Sequence, residues 1–334
     1  MENSNKIVPP HLNAEIYRTD TTGTSTLMNL DYIRIHTDGT VLVGASELTG
    51  RYWNGGANVY KNVAEAKRLQ SEGKIAMSLQ SATTDGFIID SNTVLICEDS
   101  GATSVWSRGD QQNAWSEWTE QLSVIEHDDM ALAVDCLNPG QHYVTVGADC
   151  NAKVWDINDL ICVRNYAAAH STMIYAVSVK PGSITCFATG SLDRYVTLWD
   201  ENVDKPVLDL FKNDCCIRCL GWIDEHRLVA GDEAGVLHLI DVRNTESVRK
   251  IAEFPSAVHK VAVQRDCEKV AVCCDNKIVS VCDVKDTTKS RVIYDDRHHH
   301  SNTVRGLAWD VQDKNLLHTA GWNGEIKSHQ ITWD

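Results

Sequence analysis

His127 with Asp149, and His170 with Asp193, are pairs of the kind that make a general-base dyad, an imidazole that takes a proton beside a carboxylate that orients it. Each pair is accompanied by a hydroxyl and an indole: Thr145 and Trp155 in one set, Thr189 and Trp199 in the next. In both sets the Asp sits six residues before the Trp and the Thr four before the Asp. That regularity explains the sets as structural rather than catalytic. The Asp can accept from the ring, the ring can be held by the hydroxyl, and the hydroxyl can meet the indole N–H, so four buried polar groups satisfy one another.

The remaining chemistry-bearing residues divide in the same way. No Ser or Cys stands in an elbow motif and no Gly-rich loop precedes a helix, so enzymatic activity is not expected. Cys216 and Cys219 form a C-x-x-C, but residues three apart on a strand point to opposite faces and cannot share a metal without a bulge. His298, His299 and His300 alternate faces if extended, which allows an adventitious metal contact and no more. No cofactor and no metal site are expected. Gly50-Arg51-Tyr52-Trp53-Asn54-Gly55-Gly56 differs: it reads as a Gly-rich loop too long for the repeat, Arg, Tyr and Trp in a row are interface hot-spot residues, and at least one ring must point away from a core. In Glu98-Asp99-Ser100-Gly101 it is Ser100 that stands six before Trp106, which displaces the Asp99 carboxylate and leaves it facing outward.

The elements that must position these residues follow from the repeat. Trp155 and Trp199 are 44 residues apart (199 − 155), and the intervening runs, such as Tyr175-Ala176-Val177-Ser178-Val179, alternate apolar and polar. Pro139-Gly140 and Pro181-Gly182 interrupt them, so the pattern is one of short antiparallel strands. Weaker copies run to Val59-Tyr60, Trp106, Ile240-Asp241 and Cys282-Asp283, and a last one runs from His300 through Thr319 and Asn323 to His329. This is the WD-repeat signature, and seven copies predict an all-β, seven-bladed β-propeller. Two blades have the full tetrad, the last has a partial version, and the others are expected to rely on apolar packing.

A ring must close, or its last blade is left with an open edge strand. Residues 1–13 are read as a tail and 14–334 as a single propeller, with Ala14-Glu15-Ile16-Tyr17-Arg18 supplying the closing strand beside Ile326 to Trp333. Two insertions stand out: Asn62 to Gln70, a short helix or loop, and the Trp-bearing Arg108 to Trp118, placed between blades two and three.

Composition bounds the partners. Hydrophobic residues at 43% and charged residues at 23% suit a globular chain with a sizeable core. A net charge of −15 repels phosphate backbones and anionic lipid and attracts basic proteins, so nucleic acid and membrane are not expected partners. Neither an apolar leader nor an apolar stretch of membrane length is present, and twelve cysteines spread through a long chain read as reduced thiols, which predicts a cytoplasmic and nuclear protein.

A closer resemblance rests on specific stretches. Thr37-Asp38-Gly39, Leu42-Val43-Gly44-Ala45-Ser46, Leu48-Thr49-Gly50-Arg51-Tyr52-Trp53, Glu126-His127-Asp128-Asp129 and Val304-Arg305-Gly306-Leu307-Ala308-Trp309 are similar in register to the methylosome WD-repeat subunit (Valois) family, and several of them are not general repeat consensus. That resemblance implies a non-catalytic propeller that binds the symmetric, type II protein arginine methyltransferase in a four-plus-four assembly. It also implies a role in presenting Arg/Gly-rich substrates such as Sm proteins and histone tails. Trp53 would then insert into the enzyme's N-terminal barrel domain, with Arg51, Tyr52 and Asp99 beside it. A substrate receptor of a ubiquitin ligase and a generic scaffold are the alternatives.

Overall fold

The computed structural model describes residues 29–47, 54–70, 75–109, 117–285 and 291–332. Seven antiparallel sheets follow one another along the chain, and within each the strands pair in sequence order. Blade one holds β1 (Asn29–Ile35), β2 (Val41–Ser46), β3 (Gly55–Tyr60) and β4 (Met77–Leu79); blade two holds β5 (Thr83–Asp90), β6 (Thr93–Glu98), β7 (Ala102–Arg108) and β8 (Trp118–Ile125). Blade three holds β9 (Ala131–Asn138), β10 (His142–Gly147), β11 (Ala152–Asp156) and β12 (Ile161–Tyr166); blade four holds β13 (Ile174–Val179), β14 (Cys186–Ser191), β15 (Tyr195–Asp200) and β16 (Leu208–Lys212). Blade five holds β17 (Ile217–Trp222), β18 (Arg227–Asp232), β19 (Val236–Asp241) and β20 (Arg249–Glu253). Blade six holds β21 (Val258–Gln264), β22 (Lys269–Cys274), β23 (Val279–Asp283) and β24 (Arg291–Asp296), and blade seven β25 (Val304–Trp309), β26 (Leu316–Gly321) and β27 (Ile326–Gln330).

Burial explains why the strands of a blade differ in sequence. Second strands such as β2 and β22 are buried at every position, being covered by a neighbouring blade on each face, and they read as nearly unbroken apolar runs. Outer strands such as β12 alternate, exposing Ile161 and Val163 while Tyr166 is buried. Seven apolar clusters fill the seven gaps between blades. The one that closes the ring joins Leu30, Ile33 and Val43 of blade one to Ala308, Ala320 and Ile326 of blade seven. Burying each large aliphatic side chain there stabilises by about 1.5–3 kcal/mol relative to exposure. The closing strands approach closely: a Cβ on Gly306 of β25 would lie 2.7 Å from the Ile33 amide nitrogen of β1. Indoles add stitches between blades, Trp222 donating to the Ser178 carbonyl at 3.0 Å and Trp309 to the Ala262 carbonyl at 2.9 Å.

Several expectations change here. Gly55 and Gly56 belong to β3 and not to a loop, since Gly55 pairs with both Ser46 and Leu79. A Cβ on Gly55 would lie 2.3 Å from the Ser81 carbonyl, so that glycine serves close packing and not flexibility. Asn62–Gln70 forms helix α1 (Val63–Leu69) inside blade one, between β3 and β4. Its N-cap Asn62 accepts from Glu65 N at 2.8 Å, Glu65 reaches back to Lys61 N, and Ala66 is buried in the closing cluster. Residues 110–116 of the Arg108–Trp118 stretch lie outside the described residues, but its ends belong to β7 and β8 of blade two and not to blades two and three, because the sequence repeat is offset by one strand from the structural blade. The expected closing strand at 14–18 lies outside the described residues, and blade seven has three described strands.

Candidate functional site

The two tetrads assemble from the loop before a blade, the second strand, the turn after it and the third strand. In blade three His127 Nδ1 is 2.9 Å from the Asp149 carboxylate, its Nε2 is 2.8 Å from Thr145 Oγ1, and Trp155 Nε1 donates to the same hydroxyl at 2.8 Å. Blade four repeats this with His170, Asp193, Thr189 and Trp199 at 2.9, 2.7 and 2.8 Å. A carboxylate only accepts and an indole only donates, so the protons must run Trp to Thr to His to Asp. Burial lifts the Asp149 carboxyl, but bonds from His127 and Asn151 outweigh it and hold the group below the usual range. Burial likewise pushes His170 down against the pull of Asp193. With His127 2% and Thr145 0% exposed and every donor used within the blade, these residues fasten strands and are not placed to meet a substrate.

Asp149→Ala or Asp193→Ala should therefore leave a buried imidazole unpartnered and destabilise the chain by about 1–3 kcal/mol, whereas Asp99→Ala should have little effect. Urea denaturation of the three variants checks this, and equal losses would mean that the tetrads are not special.

A polar lock also occurs in blade five, where apolar packing alone was expected, and the partial set expected in the last blade is present in blade seven. In blade five Asp232 accepts from His238 Nε2 at 2.8 Å and from Asn213 Nδ2 at 2.9 Å. Burial raises this carboxyl, yet those bonds and the Val236 amide pull it down to about 2. In blade seven His300 Nδ1 lies 3.2 Å from Asn323 Oδ1, His300 Nε2 lies 2.7 Å from Thr319 Oγ1, and His329 Nε2 takes the place of the indole at 2.9 Å. Blade two lacks the lock, its Trp106 donating instead to Ser104 on the same strand.

Of the residues expected to bind a partner, Arg51, Tyr52 and Trp53 lie outside the described residues. Glu47 N donates to Asn54 O at 2.8 Å at the base of the β2–β3 connection. Ser46 Oγ accepts from Thr83 N at 3.0 Å, Thr83 pairs with Glu98, and Asp99 N donates to Ala82 O at 2.9 Å. The base of the Arg51–Trp53 connection and the half-buried Asp99 therefore share one rim of blades one and two. The Asp99 turn is rigid, because Gly101 at φ +83° approaches His127 O so closely that a Cβ would lie 2.4 Å away. This ties the rim to the blade-three tetrad.

Spacing along the sequence did not reveal two further clusters. Along the ring axis, an open channel of about 880 Å³ lined by the first strands holds Asp85, which bonds Arg34 at 2.7 Å and lies 3.4 Å from Lys260. Burial opposes the Asp85 charge, but the two cations outweigh it and keep the carboxyl below the usual range. At the closing seam Asp31 of blade one accepts from Thr83 of blade two at 2.8 Å and from Trp322 of blade seven at 3.2 Å. Residues 291 positions apart meet only because the ring closes, and those 51 apart meet where adjacent blades touch.

Burial lifts the Asp31 carboxyl to about 6, against the bonds from Ser46, Thr83 and Trp322. A raised acid binds more protons folded than unfolded, so its contribution to stability increases as pH falls through about 6 and levels off near the unfolded value of about 4. Asp31→Asn should flatten this part of the profile. Relative to wild type it should gain about 2 kcal/mol of stability between pH 4.5 and 7.5. Denaturation curves at the two pH values measure the difference, and an unchanged difference would rule out Asp31 as its source.

Seven four-stranded or three-stranded blades in ring order, two of them fastened by full His–Asp–Thr–Trp locks, define a WD-repeat β-propeller. Residues 119–156 and 161–200 match the family described as WD domain, G-beta repeat. Over 304 residues the chain is 26% identical to Methylosome protein WDR77 of Xenopus laevis, covering 90% of this chain and 88% of that one. It is 22% identical over 299 residues to WD repeat-containing protein 18 of Homo sapiens, covering 86% of this chain and 64% of that one. It is also 23% identical over 198 residues to WD repeat-containing protein SL1-17 of Schistosoma mansoni, covering 58% of this chain and 63% of that one. The chain thus carries WD repeats and is similar over most of its length to Methylosome protein WDR77.

Proposed function

We propose that this chain is the non-catalytic WD-repeat cofactor of a methylosome, binding the symmetric, type II protein arginine methyltransferase and helping to present Arg-rich substrate proteins to it. The observation that carries this reading is the similarity to Methylosome protein WDR77, which covers 90% of this chain and 88% of that protein and so extends well beyond the two repeats that match the WD family. The charge balance supports it, since a surface at −15 attracts the basic tails that such an enzyme modifies. So does the rim of blades one and two, where the Glu47–Asn54 backbone bond at the base of the β2–β3 connection lies near the Asp99 turn. Affinity capture with the full chain from native extract, followed by mass identification of the stoichiometric partner, tests the proposal. Recovery of an arginine methyltransferase is the expected result. Recovery of a ubiquitin-ligase adaptor in its place would overturn it.

A further inference from the structure

We propose that Asp296, His299 and His329 form a binding site for a divalent transition-metal ion of the zinc class, at the outer junction of blades six and seven. Asp296 ends β24, His299 lies in the turn that follows, and His329 is on β27. Their ligand atoms all lie within 4.8 Å of one another. Two imidazoles and a carboxylate are the donor set that zinc and its neighbours take, with remaining positions left to solvent.

Blade seven departs most from the tetrad at the position of the third-strand indole. Where blades three and four carry an indole, which only donates, blade seven carries His329, which has a second nitrogen. The Asn323 amide is oriented by its Nδ2 donating to the Glu325 carboxylate at 2.7 Å, which turns Oδ1 toward His300. His300 therefore donates through Nδ1 and accepts the Thr319 proton at Nε2, and Thr319 accepts from His329 Nε2–H. The proton of neutral His329 is thus committed to the tetrad, and its Nδ1 lone pair points outward.

That lone pair lies 3.2 Å from Asp296 Oδ2, so two acceptors face each other. The Tyr294 hydroxyl, 3.0 Å from His329 Nδ1 and 3.4 Å from Asp296 Oδ2, can donate to only one of them. His299 Nδ1 is in close contact with the same carboxylate oxygen, and its ring centroid is 5.0 Å from that of His329. His329 is 1% and Asp296 9% exposed, while His299 is open to solvent, so two ligands are fixed by the fold and the third closes over the ion. Asp296 Oδ1 accepts from the His298 and His299 amides, the outer-shell support that orients a ligating carboxylate. A bound ion would staple the last strand of blade six to the third strand of blade seven.

Titration of the full-length chain with Co²⁺, followed by visible absorption and by melting temperature, tests the site. One ion per chain and a raised melting temperature are expected. His299→Ala, at an exposed position, should keep the fold by circular dichroism and weaken binding about tenfold or more. His298→Ala, next door but outside the site, should bind as wild type. Absence of binding, wild-type binding by His299→Ala, or equal weakening by both variants would each overturn the proposal, the second pointing to thiols and the third to a loose histidine run.

Discussion

The Trp53→Ala chain is expected to fold like the wild type and to lose the methyltransferase on co-purification. Truncating a central aromatic anchor typically removes about 2–4 kcal/mol of binding energy, roughly thirtyfold or more in affinity. The surroundings suit such an anchor. The connection carrying Trp53 springs from two paired strands, with Gly55 pressed against the Ser81 carbonyl, and Asp99 on the neighbouring turn is held by Gly101. Circular dichroism and melting of the variant, read beside the co-purification, separate the outcomes. Unfolding would make Trp53 a core residue, and full binding by a folded variant would move the interface elsewhere on the ring.

Asp85→Ala should be among the most destabilising single substitutions in the channel. Asp85 is 3% exposed and bonds Arg34 from blade one and Lys260 from blade six, while Val134 N of blade three reaches it at 3.4 Å. Removing the only partner of a buried charge typically costs 3–5 kcal/mol. Here two cations would be left, but both face an open channel where water can relieve them, so the lower end, about 3 kcal/mol, is expected. Equilibrium denaturation against Asp99→Ala as an internal control gives the number. A loss near that of the control would show that solvent in the channel screens the network.

The fold class could be read from the sequence because its cause is local and repeated. His127, Thr145, Asp149 and Trp155 keep their spacing in His170, Thr189, Asp193 and Trp199, since four groups with complementary donors and acceptors must meet across strands of fixed length. Strand alternation and the Pro-Gly turns follow from the same period. The blade-seven variant was also visible, because His300, Thr319, Asn323 and His329 keep the offsets while two residue types change.

What only the tertiary structure decided lies where the period gives no information. Asn213, Asp232 and His238 lock blade five without the repeat's spacing, so only coordinates show that they touch. Gly55 looked like a loop residue because a glycine needed for close approach and one needed for flexibility are spelled alike. Asp31 with Trp322, Arg34 with Asp85 and Lys260, and Asp296 with His299 and His329 are brought together by ring closure or by the contact of adjacent blades. Periodicity reports which face of a strand is buried, which is a property of neighbours in sequence. Which charges and ligands meet across blades depends on the angle at which seven sheets stack around an axis, and that angle is set by the packing of all seven apolar clusters together.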